Sequence, residues 1–297
     1  MRGVDYISPG TVAEAISALQ AAGGNGRLLA GGTDLLVQMR GGRAKPKVVI
    51  DLKGIPGIAT ISDEAGGFII GAASSGASIG EHEALRKAWP GVVEAANLIG
   101  STQVQGRASL GGNLCNASPA ADSVPALIAA GAICVIAGPN GQREAPVETI
   151  QSGPGKTTLG KDEVLIAFKL PKRPAQSGDA YLRLIPRTEM DIAVVGAAVS
   201  VTLDAAGKCI AARVGIGAVA PTALLVEAAG AALVGSSFDD AALAKLEAAV
   251  AAACKPISDK RGTIEYRTKV AAVLARRAAL IARDRAQGSD RAQGAAS

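Results

Sequence analysis

The chain has 297 residues and carries 31 Lys and Arg, 26 Asp and Glu and one His, for a net charge of +5. Such a length favours about two domains. Apolar residues make up 48% of the chain and charged residues 19%, which allows a large buried core and excludes a wholly disordered chain. Aromatic residues make up only 2% and the basic residues are scattered, so no nucleic-acid partner is expected.

Residues that bind metals are sparse. The lone histidine, His82, excludes a site built from several histidines, and its place in GEHEALRKAW predicts an imidazole on a helix surface. Zinc and iron–sulfur sites have closely spaced cysteines, whereas the cysteines here are more than ten residues apart. They are Cys115, Cys134, Cys209 and Cys254. We expect no metal site in this chain, and reduced thiols as in cytoplasmic proteins.

Neither a secretion signal nor a membrane span is predicted. The N-terminal MRGVDYISPGTVAEAI has an acid and a proline where a signal peptide has its apolar run. The longest apolar block, Val124 to Ala137, contains a proline and a glycine and is too short to cross a bilayer. A cytoplasmic protein is the expectation.

Strand and helix patterns alternate over the first 55 residues. TVAEAISALQAAGG predicts a helix with one apolar face, closed by two glycines. RLLAGG predicts a short strand entering a turn, DLLVQMR a helix beginning at Asp34, and KVVIDL a strand over 47–52. Together they form a β–turn–α–β unit, which we take as a first subdomain over residues 1–55.

A second subdomain is predicted over residues 56–173. Strands are indicated at 68–72 and at 163–171, where the pattern is amphipathic and ends in a proline. EHEALRKA and GVVEAANLI predict helices, and SVPALIAAGAICVIA predicts a helix and then a strand, interrupted at Gly131. The segment PKRPAQSGD, rich in proline, glycine and charge, is the best candidate for a linker.

A C-terminal domain is predicted over residues 178–283. DIAVVGAAVSVTLD and KCIAARVGIGAV are long strand patterns joined by Ala-Ala-Gly, which predicts an antiparallel hairpin. Helices are predicted over 223–233 and 239–254, and YRTKVAAVLARRAALIARDR predicts a last helix with an arginine-rich face. Residues 284–297 repeat DRAQG and have no core-forming side chains, so we expect a disordered tail. The predicted fold class is α+β.

Two glycine motifs match nucleotide-binding loops only in part. SGPGKTT, residues 152–158, ends like a phosphate-binding loop, but Ile150 stands where that pattern needs its first glycine. GIGAVA, residues 215–220, fits the dinucleotide fingerprint, but Pro221 follows directly and the preceding strand is the second arm of a hairpin. We interpret the first as a turn that exposes Lys156, and we assign no nucleotide site to the second.

A pair of glycine loops is a better candidate. One is LLAGGTDL, residues 28–35, and the other is SLGGNLCNASPAAD, residues 109–122. In each, two adjacent glycines let the backbone approach a ligand, and successive N–H groups can then bind an anion. Two such loops from separate subdomains suit a diphosphate with a large group at each end, although glycine pairs also serve as simple turns. Asp34 and Asp122 would bind ribose or ribityl hydroxyls, or orient the loops.

At these loops the sequence resembles the FAD-binding medium subunits of molybdenum hydroxylases. That family includes xanthine dehydrogenase, aerobic carbon monoxide dehydrogenase and 4-hydroxybenzoyl-CoA reductase. AGGTDLL and STQVQGRASLGGNLCNASPAADSVPAL carry the most specific part of the resemblance, and GPGKTTLGKDEVLIAFKLP, YLRLIPRTEMDIAVVGAAVSV and YRTKVAAVLARRA extend it to about residue 283. It implies a two-subdomain FAD-binding fold of the vanillyl-alcohol-oxidase/PCMH type, followed by a small α+β domain with an antiparallel sheet.

The resemblance also implies which residues lie at the cofactor. Both loops would wrap the FAD pyrophosphate, Ile99 would face the isoalloxazine ring unless it is a core residue, and Arg183 would lie near the flavin. The expected cofactor-binding residues are Leu28, Leu29, Ala30, Gly31, Gly32, Thr33, Asp34, Leu35, Ile99, Ser109, Leu110, Gly111, Gly112, Asn113, Ser118, Asp122, Leu159, Arg183 and Asp191. FAD is expected to bind non-covalently, because His82 lies outside both loops and Cys115 should face the pyrophosphate. No residue of this chain is expected to be catalytic.

Two departures from relatives bear on the complex. The carbon monoxide dehydrogenase branch carries His-Ser where this chain has Thr33-Asp34, which argues against carbon monoxide as the substrate. The medium subunit of 4-hydroxybenzoyl-CoA reductase has an inserted loop whose cysteines hold an extra iron–sulfur cluster, and this chain has no such cysteines. Neither departure identifies the substrate, which is bound at the molybdenum cofactor in another subunit.

The function that the resemblance implies is electron transfer. A large partner subunit would hold the molybdenum cofactor and a small partner two [2Fe–2S] clusters, in a dimer of heterotrimers. FAD in this chain would pass the electrons to NAD, oxygen or a quinone, because flavin exchanges electrons singly or in pairs. The alternatives are a stand-alone FAD oxidase or dehydrogenase, which would need His or Tyr as acid–base groups, and a non-catalytic nucleotide-binding scaffold.

Overall fold

The computed structural model describes residues 3–64 and 67–288. The first unit consists of β1 (Asp5–Ile7), α1 (Val12–Ala21), β2 (Gly26–Leu29), α2 (Leu35–Arg40) and β3 (Val48–Asp51). Its strands form a parallel sheet in the order β1-β3-β2. Because the apolar positions of α1 recur on one face, Ala15 and Leu19 are buried in one cluster with Ile50 of the central strand.

The second unit is built on a five-stranded antiparallel sheet. Its elements are β4 (Ile61–Glu64), β5 (Gly67–Gly71), α3 (Gly76–Glu81), α4 (Glu83–Ala88), α5 (Pro90–Asn97), α6 (Thr102–Gln105), α7 (Leu110–Cys115), α8 (Ser123–Ala129), β6 (Ile133–Gly138), β7 (Gly141–Pro146), β8 (Gln151–Gly153), β9 (Lys156–Thr157) and β10 (Val164–Pro171). The sheet order is β4-β5-β10-β6-β7, and β8 and β9 form a separate hairpin. Helix α8 is buried along its whole length, and Leu127 and Ile128 share a core cluster with Phe168 of β10.

The third unit is an antiparallel sheet covered by helices. It comprises β11 (Ser177–Leu184), β12 (Val195–Leu203), β13 (Cys209–Gly217), β14 (Leu224–Leu225), α9 (Glu227–Leu233), α10 (Asp240–Ala253) and α11 (Ile264–Ala286). The strands pair in chain order, which includes the predicted hairpin of β12 and β13. Helix α11 packs on β11 and β12 through a row of fully buried alanines, among them Ala271, Ala275 and Ala278. Helix α8 contacts this sheet as well, so it joins the second and third units.

The predicted α+β class is confirmed, but three local predictions differ from the structure. The helix predicted through residues 81–88 is interrupted at His82, whose Nδ1 accepts the N–H of Leu85 at 3.2 Å and caps α4. The helix predicted from residue 223 begins only at Glu227, because Leu224 and Leu225 pair with β13. Helix α11 continues to Ala286, so it includes the first residues of the predicted tail. The rest of that tail, from residue 289, lies outside the described residues, and the subdomain boundaries stay predictions.

Candidate functional site

A cleft of about 630 Å³ lies between the first two units and is lined by both glycine loops. The loop over residues 28–35 leads from β2 into α2. The second predicted loop is partly helical, because α7 begins directly after Ser109 and contains both Gly111 and Gly112. Small-molecule sites in proteins have volumes in this range. The fold therefore brings the two predicted loops together in one site.

The first loop presents a row of free backbone N–H groups. From Gly31 to Leu35, none of these N–H groups donates a hydrogen bond within the described part of the chain. Gly32 turns the chain with a φ of +80°, a conformation that residues with a Cβ rarely adopt. Successive N–H groups in such a turn form a concave anion site, and the start of α2 adds partial positive charge. The loop therefore suits the oxygens of a phosphate.

The second loop differs from the expectation, since the N–H groups of its two adjacent glycines already have acceptors. The N–H of Gly111 donates to the carbonyl oxygen of Ala72 at 3.0 Å, and that of Gly112 donates to Oγ of Ser109 at 3.1 Å. Ser109 thereby caps α7. Oδ1 of Asn113 accepts hydrogen bonds from both the N–H and the hydroxyl of one residue, Ser123. This loop contributes a wall without bulky side chains rather than a row of free donors.

The first loop closely approaches the backbone that leads into the second loop, and the second loop closely approaches the backbone at Ala72. A Cβ at Gly31 would lie 1.8 Å from the carbonyl oxygen of Arg107, and one at Gly111 would lie 2.5 Å from that of Ala72. Both glycines are therefore required by approach of protein backbone, and not by room for a ligand as the sequence suggested. Helix α2 and the second loop are also linked, because Nε2 of Gln38 donates to Oδ1 of Asn116 at 2.9 Å.

Apolar and basic side chains complete the cleft. Ile99 and Leu159, which the resemblance places at the cofactor, are half-buried and line the cleft. Sequence reasoning missed three basic residues of the lining, Arg43, Lys45 and Lys161, which have no ion-pair partner among the described residues. Arg43 and Lys45 lie in the loop between α2 and β3, and Lys161 lies in the loop between β9 and β10, so no local pattern marks the three as one set. Gly155 of the SGPGKTT turn also lines the cleft, although that turn was not predicted to belong to it.

Three further predicted residues lie outside the cleft lining. Leu110 is a core residue that is 1% exposed. Ser118 closes a local turn, since its Oγ accepts the N–H of Ala120. Asp191 bridges two loops of the third unit by accepting hydrogen bonds from Arg187 and Arg261. Each of these residues supports the surrounding structure instead of facing the cleft.

Arg183 and Asp122 form a buried ion pair, also outside the cleft lining. Nη1 of Arg183 lies 3.0 Å from Oδ2 of Asp122 and donates to the carbonyl oxygen of Leu98 at 2.6 Å. The hydroxyl of Tyr181 donates to Oδ1 of Asp122 at 3.1 Å. Burial raises the pKa of Asp122 to about 6, although Arg183 and Tyr181 act to lower it. Arg183 therefore holds the backbone next to Ile99 and does not point into the cleft.

Comparison with known proteins accounts for this architecture. The family model described as the FAD binding domain in molybdopterin dehydrogenase matches residues 2–173, and that of the CO dehydrogenase flavoprotein C-terminal domain matches residues 180–282. The carbon monoxide dehydrogenase medium chain of Afipia carboxidovorans is 35% identical over 95% of this chain and 98% of its own length. The xanthine dehydrogenase FAD-binding subunit of Escherichia coli O157:H7 is 33% identical over 73% of this chain and 74% of its own.

Solved structures agree with these matches. A chain of the cyanide-inactivated Cu,Mo-CO dehydrogenase superposes with a TM-score of 0.91 at 35% identity, covering 95% of this chain and 98% of its own. A chain of quinoline 2-oxidoreductase from Pseudomonas putida 86 gives a TM-score of 0.87 at 27% identity, covering 96% of this chain and 98% of its own. The fold and the cleft thus define a flavoprotein component of an oxidoreductase, with FAD as its cofactor. The chain belongs to the family of FAD-binding medium subunits of molybdenum hydroxylases.

Proposed function

We propose that this chain is the electron-transfer flavoprotein of a cytoplasmic molybdenum hydroxylase complex. A large partner subunit would oxidise the substrate at a molybdenum cofactor, and a small partner would pass the electrons through two [2Fe–2S] clusters. The complete assembly would be a dimer of heterotrimers. FAD bound in the cleft would couple these one-electron carriers to NAD, oxygen or a quinone, since flavin exchanges electrons singly or in pairs.

The observation that carries this proposal is a cleft that can bind a dinucleotide but offers little acid–base chemistry. No histidine or tyrosine is among its lining residues in the described chain. The acidic residues of the lining are Glu163 and Asp34. The carboxylate of Glu163 is paired with Arg143 through two hydrogen bonds of 2.7 Å, and Asp34 lies within the first glycine loop. An oxidase acting on an organic substrate at the flavin needs a positioned proton acceptor, so the cleft favours electron transfer over a stand-alone oxidase.

The chain's own residues would place the cofactor. The free N–H groups from Gly31 to Leu35 would bind the diphosphate, and the side-chain-free surface at Gly112 would leave room for it. Ile99 and Leu159 would pack against flat apolar parts of FAD. The basic side chains that line the cleft would add attraction for the anionic cofactor.

The names of relatives support a role that is independent of the substrate. Similar chains are subunits of dehydrogenases named for carbon monoxide, xanthine, nicotinate and caffeine, which differ widely in chemistry. A flavin-carrying chain shared by such complexes would not select the substrate. The substitution of Thr33-Asp34 for His-Ser remains our reason to propose a substrate other than carbon monoxide.

Expression of the chain alone and with its partner subunits tests the electron-transfer role. The isolated protein should hold FAD but show little turnover with organic substrates, because its flavin would be reduced only through the iron–sulfur partner or by a chemical reductant. Affinity purification of the tagged chain from its source, followed by flavin, iron and molybdenum analysis, should recover the large and small subunits. Substrate-dependent turnover by the isolated flavoprotein would favour the stand-alone oxidase, and absence of flavin would favour the scaffold.

FAD should leave the protein on acid precipitation. A covalent link normally uses a His or Cys side chain beside the ring, and His82 does not line the cleft. Cys115 does line it, on the glycine-loop side at the end of α7. After precipitation with trichloroacetic acid, the supernatant should contain all of the yellow chromophore, identified as FAD by chromatography. Flavin retained in the washed pellet would contradict non-covalent binding and would direct attention to Cys115.

A further inference from the structure

Lys53 binds the backbone of the first glycine loop from outside the cleft. It lies just after β3, where its Nζ donates to the carbonyl oxygen of Ala30 at 2.8 Å. The same ammonium pairs with Oδ1 of Asp51 at 2.5 Å. Lys53 is absent from the cleft lining, so it acts on the loop and not directly on a ligand.

The geometry of the peptide bond gives this contact a consequence. The carbonyl of Ala30 and the N–H of Gly31 belong to one planar trans peptide, so they point in opposite directions. Because Lys53 holds the carbonyl oxygen, it also fixes the direction of the N–H of Gly31. That N–H is the first of the row without acceptors in the described chain.

We infer that Lys53 is a positioning residue that orients the glycine loop for the FAD diphosphate. This inference rests on the proposed role of the row from Gly31 to Leu35 in binding that diphosphate. If the peptide planes of the turn are already fixed in the free protein, no conformational entropy has to be lost there when the ligand binds, and the affinity is higher. A free loop could rotate the Ala30–Gly31 peptide and turn its carbonyl oxygen toward the phosphate.

Two further residues hold Lys53 in place. Asp51 is buried, with its side chain 11% exposed, and it accepts both the backbone N–H and the ammonium of Lys53. The hydroxyl of Tyr6, on the neighbouring strand β1, donates to the other oxygen of Asp51 at 2.6 Å. Both oxygens of the Asp51 carboxylate therefore accept hydrogen bonds, one from Tyr6 and the other from Lys53. This pairing holds the ammonium of Lys53 where it can donate to the carbonyl oxygen of Ala30. Sequence analysis had no signal for this arrangement, because it depends on the pairing of β1, β2 and β3.

The test compares Lys53→Met with Lys53→Arg in the full chain. Loss of the charge-assisted hydrogen bond should raise the Kd for FAD roughly tenfold to a hundredfold, whereas arginine should restore most of the affinity. Binding is measured by titrating the apoprotein and following flavin fluorescence. The ³¹P resonances of bound FAD should shift in Lys53→Met, because the donors around the diphosphate change direction. Should Lys53→Met fail to fold, as judged by circular dichroism, Lys53→Gln replaces it.

Lys45→Met is the matched control, because Lys45 lines the cleft without contacting the loop backbone through an observed bond. If both variants lost the same FAD affinity, and if the difference from wild type disappeared at high salt, Lys53 would act only by attracting the anionic cofactor. That result would overturn the positioning role. Unchanged FAD affinity and ³¹P shifts in Lys53→Met would overturn it as well. Failure of the wild-type chain to bind FAD would instead refute the proposed function. The inference is supported by a large loss in Lys53→Met, a small one in Lys45→Met and rescue by arginine.

Discussion

Replacing Gly31 by alanine should weaken the binding of FAD. The new Cβ would lie 1.8 Å from the carbonyl oxygen of Arg107, and backbone on both sides leaves no side chain that can swing away. The first glycine loop would have to move away from the backbone at Arg107, which would disturb the row of free N–H groups and widen the cleft. Overpacking of this kind costs about 1–3 kcal/mol, so FAD affinity should fall roughly tenfold to a hundredfold. The measurement is the flavin content per chain after gel filtration, with the Kd from fluorescence titration.

Gly106→Ala is the matched control on the other side of the same contact. A Cβ at Gly106 would have its nearest neighbour, the carbonyl oxygen of Gln103, at 3.6 Å, which is ordinary contact. This variant should retain its flavin, and both apoproteins should remain folded by circular dichroism. Gly217, in the incomplete dinucleotide motif, is a poor control because its Cβ would lie 2.7 Å from Cγ of Pro125. Full flavin occupancy in Gly31→Ala would contradict the close approach of the loops.

The glycine loops could be predicted because each is a contiguous motif with a local physical meaning. Two adjacent glycines signal a tight approach of the backbone, whatever surrounds them. Such a motif does not reveal which group lies against the glycines. The sequence suggested a ligand at Gly31 and Gly111, whereas the structure places the backbone of Arg107 and Ala72 there. The structure therefore gives these two glycines a physical reason other than the one that the sequence suggested.

The rest of the site depends on contacts between distant segments. Lys45 lines the cleft from the first unit and Lys161 lines it from the second, and neither belongs to a pattern. Resemblance suggested Arg183 as a flavin contact, but its side chain is 3% exposed, and its Nη1 donates to Asp122 and to the carbonyl oxygen of Leu98. The packing of β11 against both α5 and α8 brings these groups together, so a linear pattern could not reveal their role.

Replacing Arg183 by methionine should destabilise the folded chain by roughly 3–5 kcal/mol, because it leaves the buried carboxylate of Asp122 without its cation. The carbonyl oxygen of Leu98 would lose its donor as well. Arg187→Met is the control, since Arg187 pairs with Asp191 but its side chain is 67% exposed, and such surface pairs contribute about 0–1 kcal/mol. Urea unfolding of the full chain at pH 8 gives both values.

The pH dependence separates the charge effect in Arg183→Met from lost packing. Burial raises the pKa of Asp122 to about 6 with Arg183 present, and removal of the cation raises it further. A carboxyl group whose pKa is raised by folding contributes stability at low pH, and that contribution is lost as the pH rises through the folded-state pKa. The deficit of Arg183→Met should therefore be larger at pH 8 than at pH 5, where Asp122 is protonated in the variant. Adding Asp122→Asn to Arg183→Met should recover part of the loss at pH 8, because the uncompensated charge is gone. An equal deficit at both pH values, with no recovery in the double variant, would assign the whole effect to packing of the arginine stem.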